Sequence, residues 1–141
     1  MFMRHLLLTS ALLLAGGIRG QASLNVIVEL NKPPGPDARL RMFACPGMNE
    51  FELEAGCVEA DVVASAPVTR VLVPDMKPGV YAIKVFVDDN ANGKLDQGWL
   101  EIPEEPYGFS NNARRIAGPP TFELAKFEVL EGVNTHRITL R

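Results

Sequence analysis

The run Asp88-Asp89-Asn90-Ala91-Asn92-Gly93-Lys94-Leu95-Asp96 is the one dense cluster of oxygen-bearing side chains in the chain. Counted from Asp88, oxygen donors fall at alternate positions: Asp88, Asn90 and Asn92, then Asp96. Lys94 offers a main-chain carbonyl between them. Gly93 permits a sharp bend, and Leu95 is an apolar anchor for the loop. Alternation turns the odd-numbered side chains to one side, and hard cations such as calcium select such oxygens. The departure from a complete calcium loop is Trp99, which stands where a bidentate Glu is usual. Glu101, or less directly Glu104, is expected to bend back and supply that carboxylate. With two Asp, two neutral Asn and one Glu, calcium binding is expected to be weak, with a dissociation constant of about 10⁻⁴ to 10⁻³ M. The alternative is a metal-free turn, its Asp and Asn side chains bonded to nearby main-chain amides.

Residues 99–118 are too long for a tight hairpin and too apolar for a floppy one. Trp99, Leu100, Ile102, Tyr107 and Phe109 can pack as a lid over one end of a sheet, with Pro103 and Pro106 stiffening it. Trp99, Tyr107, Phe109, Asn111 and Arg114, with Arg115 beside them, could instead form a carbohydrate- or peptide-binding surface. The self-packed lid is the preferred reading. Ser110-Asn111-Asn112 is suited to bonding the main chain and holding tight turns. Catalysis finds little support. Ser110 lacks the glycine two residues later that a nucleophile elbow needs. His136 looks like a sheet-face residue. Asp96, Glu101, Glu104 and Glu105 contain the pair of acids that a carboxylate-dependent hydrolase requires, but acids near a turn are more often solvated or ion-bound. A non-enzyme is expected.

The elements that must hold these residues are strands. Leu24, Val26, Val28 and Leu30 alternate with Asn25, Ile27 and Glu29, a period-two pattern. Asn31 to Asp37 contains three prolines and a glycine and breaks it. Alternation resumes over Ala38–Ala44, weakly over Cys57–Ala64, and strongly over Val68–Val73. Glu50–Ala55 suits a helical turn. After Pro78-Gly79, Val80–Val87 is apolar on both faces and is placed centrally in a sheet. Phe122–Leu130 and Thr135–Leu140 read as two further strands joined by a hairpin at Glu131–Asn134. Seven or eight short strands separated by Pro/Gly turns predict an all-β, antiparallel β-sandwich, Ig-like or transthyretin-like, over residues 23–141.

Residues 1–22 read as a secretory signal peptide. A basic start precedes an apolar run, Leu6–Ala15, and small residues follow, with cleavage expected after Ala22. The run is too short to span a bilayer, so export to the periplasm or beyond is expected. An oxidising compartment favours a disulfide between Cys45 and Cys57, the only cysteines; two free buried thiols are the alternative. Removing residues 1–22 takes the charge from 14 cations against 17 acids to 12 against 17, a net of −5. With no Lys/Arg block, nucleic acid is not an expected partner. A glycan or an envelope protein is, on a monomer.

Lys77-Pro78-Gly79-Val80-Tyr81-Ala82, Val85 through Asp96, Pro106 through Ala113, and Gly118-Pro119-Pro120-Thr121-Phe122 stand in that order. Together they closely resemble a bacterial exported family, the domain-of-unknown-function family numbered 2141. The resemblance runs over essentially the whole mature chain. It implies a small secreted or periplasmic domain with no assigned activity. In that family the position after Val87 often looks like His-Asp, whereas this chain has Asp88-Asp89, which shifts the alignment of the first ligand by one. The turn before the central strand is also similar to those of transthyretin-like and collagen-adhesin B-type sandwich modules; in the latter a similar Asp/Asn/Gly loop is linked with calcium.

Overall fold

A computed structural model describes residues 20–96 and 103–141. The apolar run of the expected signal peptide lies outside them, as do Trp99 and Glu101. The strands are β1 (Ala22–Glu29), β2 (Arg39–Cys45), β3 (Val58–Val63), β4 (Val68–Met76), β5 (Gly79–Asp88), β6 (Tyr107–Phe109), β7 (Phe127–Val129) and β8 (Gly132–Thr139). Two short helices, α1 (Met48–Leu53) and α2 (Phe122–Ala125), lie between them. The expected boundary after Ala22 falls on the first residue of β1.

The strands form two sheets, as an all-β sandwich requires. One runs β4-β1-β8; the other runs β3-β2-β5-β6, with β7 also on β5. The central position expected for Val80–Val87 is met. β2 pairs along one side of β5, while β7 at Gly79–Tyr81 and β6 at Lys84–Phe86 share the other. One pair departs from the antiparallel pattern: β8 runs parallel to β1, Ala22 to Gly132 through Glu29 to Thr139.

Alternation decides what is buried. Leu24, Val26 and Val28 of β1 meet Leu40, Met42, Ile83, Val85 and Val87 of the facing sheet, with Ile138 and Leu140, in one core. The opposite face of β5 is also covered. Phe51 of α1 packs with Cys45, Ala82, Ala113 and Ala125, and with Phe109 and Phe122 at the edge. The Cys45–Cys57 disulfide ties the ends of the segment carrying α1.

Two expectations at the C-terminal end are corrected. Phe122–Leu130 is not one strand. Thr121 is the N-cap, its Oγ1 accepting from the Leu124 amide, so Phe122–Ala125 takes a helical turn, and Phe122 lies against Phe51 at 6.0 Å. Glu131–Asn134 is not a hairpin, because β7 pairs with β5 and β8 with β1. The Asn134 amide satisfies both main-chain groups of Leu130, accepting at 3.0 Å and donating at 2.7 Å. Leu130 is thereby capped as an opposing strand would cap it, and the chain is free to cross to the other sheet.

Candidate functional site

Asp88 ends β5 opposite Arg39 of β2, and its side chain is fully buried. One carboxylate oxygen accepts the Asn92 amide at 3.1 Å. The other accepts Gly93 N at 2.7 Å and Arg41 Nε at 2.9 Å. Burial by itself raises the Asp88 pKa, but the two amides and the guanidinium outweigh it and hold the carboxyl below its ordinary value. Gly93 has φ +82°, which glycine adopts at no steric cost. Asn90 Oδ1 accepts Asn92 N at 3.2 Å, and Asn92 Oδ1 accepts Lys94 N at 2.9 Å. Both asparagine amides then donate to Asp96, from Asn90 at 2.6 Å and from Asn92 at 2.7 Å.

The spacing therefore brings Asp88, Asn90, Asn92 and Asp96 together around one tight loop. Lys94 sits on it with its side chain exposed. The carboxylate that closes the loop among the described residues is Glu105, which sequence reasoning did not choose. It is 6% exposed, and its two oxygens accept Asp89 N at 3.0 Å and Asp96 N at 2.9 Å. Burial pushes its pKa up and the two amides pull it down, while the charges of Asp96 and Asp88 push it up again, leaving it raised. Glu104 points outward, exposed. No signal in the sequence marks Glu105: the return of the chain to β5 decides, where Val87 N donates to Pro106 O at 2.8 Å and turns the residue before Pro106 inward.

Among the described residues no three His, Cys, Asp or Glu side chains converge to hold a metal by themselves. The loop adds amide and main-chain oxygens, donors that suit only a hard cation. In the hydrogen-bond network above, amide N–H₂ groups and main-chain N–H groups meet the carboxylates, as in an Asx-rich turn.

The second expected site divides. Ser110 is fully buried; its Oγ accepts Ile83 N at 2.8 Å and donates to Ala125 O. Asn111, at φ +59°, gives its side-chain amide to Leu124 O and Lys126 O and its main-chain N–H to His136 Nε2. Asn112 Oδ1 accepts Thr139 N at 2.9 Å. These three residues stitch β5, α2 and β8 together, as expected of a turn-holding run. Phe109 faces Phe51 at 6.2 Å. Phe109 also lines, with Tyr107 and Arg114, an open groove of about 860 Å³ on the outer face of the β2-β5-β6 sheet.

A family model described as an uncharacterized protein conserved in bacteria (DUF2141) matches residues 37–137. All four motifs on which the sequence resemblance rests lie within that span. No curated protein and no solved structure matches the chain.

Proposed function

This chain belongs to DUF2141, a family of uncharacterised bacterial proteins, and from that premise we propose that it is an exported, non-catalytic β-sandwich whose Asp88–Asp96 loop is ordered by calcium. The supporting observation is a concentration of negative charge. Asp88, Asp96 and Glu105 surround one loop; burial chiefly raises the Glu105 pKa, and the charges of Asp96 and Asp88 add to it. A divalent cation relieves that repulsion, and the Asn90 and Asn92 amides can turn their oxygens toward it. Arg41, already 2.9 Å from Asp88, opposes a cation and keeps the affinity low. The role is binding or structural support in the envelope. Export rests on the sequence of residues 1–22, with its basic start and apolar run.

The test is a calcium titration of the purified protein. With a dissociation constant of about 1 mM, 10 mM calcium adds about 1.4 kcal/mol. That raises the melting temperature by about 5 °C. The Gly93 and Asn92 amide resonances shift in the same titration, and Asp96→Asn or Glu105→Gln weakens the response. If 10 mM calcium moves neither the melting temperature nor those amides, the loop is a metal-free Asx turn and the ion reading is wrong.

A further inference from the structure

The outer groove has a charge balance opposite to that of the chain. Lys84, Lys94, Arg114 and Arg115 line it, and Glu54 is the one acid among the described residues that does. Glu54 is paired to Lys84 at 3.2 Å. Arg141 lines the groove as well. The balance is 5 cations against 1 acid, a net of +4, on a chain whose residues 23–141 carry −5. Arg114 and Arg115 are exposed, and neither makes an ion pair among the described residues. Gathering like charges on one face costs stability unless something anionic meets them.

The floor beneath these cations is aromatic. Phe43 of β2, Phe86 of β5 and Tyr107 of β6 line it. Its volume is about 860 Å³, within the range of small-ligand sites. Main-chain recognition is largely spent. Tyr107 N donates to Arg141 O at 3.2 Å and Arg141 N donates to Tyr107 O at 3.0 Å, so the outer edge of β6 is already paired there. An extended peptide adding itself as a strand, the usual way a sheet edge takes one, finds that position filled. What is left is side-chain recognition: ring faces below and guanidinium forks above, the latter shaped for carboxylate, sulfate or phosphate.

We propose that this groove binds a short anionic saccharide, its sugar rings lying on Tyr107 and Phe43, both half-buried, and its acidic groups held by Arg114, Arg115 and Lys94. Arg114 and Arg115 lie outside the Asp88–Asp96 loop, whereas Lys94 lies on it, so calcium is varied separately in the test. Calorimetric titration with tetragalacturonate, cellotetraose and tetraglutamate, each with calcium and with chelator, tests it. The expected result is binding of tetragalacturonate that weakens as salt rises. Arg114→Ala/Arg115→Ala should weaken it by at least about tenfold, and both side chains are exposed, so folding is unaffected. Arg70→Ala removes an exposed cation from the opposite sheet and should leave binding within about twofold. Equal binding of cellotetraose overturns the need for charge. Binding of tetraglutamate but not tetragalacturonate overturns the saccharide. Failure of all three ligands, with and without calcium, overturns the site.

Discussion

His136 shows how one side chain can join two sheets. Its ring stacks on Phe127 with centroids 4.1 Å apart, and its Nε2 accepts the Asn111 amide at 3.0 Å. Burial lowers its pKa from the ordinary 6.5, because the charged ring loses water. A folded pKa below the unfolded one means that the unfolded chain binds the proton more readily. The stability His136 contributes is therefore fully present above pH 6.5 and is lost as the pH falls through the lower folded value. Protonation also removes the acceptor that Asn111 uses. We expect the wild-type urea midpoint to fall between pH 7.5 and about 5, and His136→Gln to be less stable at pH 7.5 but flatter across that interval. A variant with the same slope as wild type shows that the pH dependence lies elsewhere. His136 was legible as a sheet-face residue, whereas its partner Asn111 was not, because the turn at 111–112 takes positive φ at both residues. Glu105 was hidden for a similar reason. Two adjacent acids are chemically alike, and only the register of the returning chain decides which one faces in.

Among the elements, β6 is the one whose placement depends on the absence of a side chain. A Cβ on Gly108 would lie 3.0 Å from Ile138 Cγ2, 3.0 Å from Leu140 Cδ2 and 3.2 Å from Thr139 O. The strand can approach residues 138–140 only because that position is bare. Overpacking of this kind costs about 1–3 kcal/mol, and stiffening the unfolded chain returns about 0.4–1 kcal/mol. Gly108→Ala should therefore lower the urea midpoint with an unchanged slope. A midpoint at or above wild type shows that β6 and β8 part without cost. Strands such as β1, β2 and β5 were readable because period two and β-branched residues determine them locally. The helical turn α2 was not, because Phe122, Leu124, Phe127 and Val129 are also compatible with a strand. Thr121 as N-cap and the contact of Phe122 with Phe51 settle it, and the second of these is tertiary.

At the scale of the whole molecule, the order of strands in the sheets differs from their order in sequence. Alternation predicts which residues face inward, but it is silent about which strand lies alongside. The parallel β1–β8 pair joins residues 22–29 to residues 132–139, a closure that no local pattern announces. It also sets the smallest piece that can fold. The family match begins at residue 37 and so omits β1, the middle strand of the β4-β1-β8 sheet. Leu24, Val26 and Val28 are all fully buried there. At about 1.5–3 kcal/mol each, their loss removes roughly 5–9 kcal/mol, comparable with the whole stability of a small domain. Without β1, β4 and β8 would also face each other across an empty position, each with a row of main-chain groups exposed. A fragment of residues 37–137 should therefore show no cooperative thermal transition and poorly dispersed amide resonances, while residues 20–141 unfold in one step. A folded 37–137 fragment would mean that the five-stranded sheet and its covering helices stand alone, and that β1 serves some purpose other than completing the core.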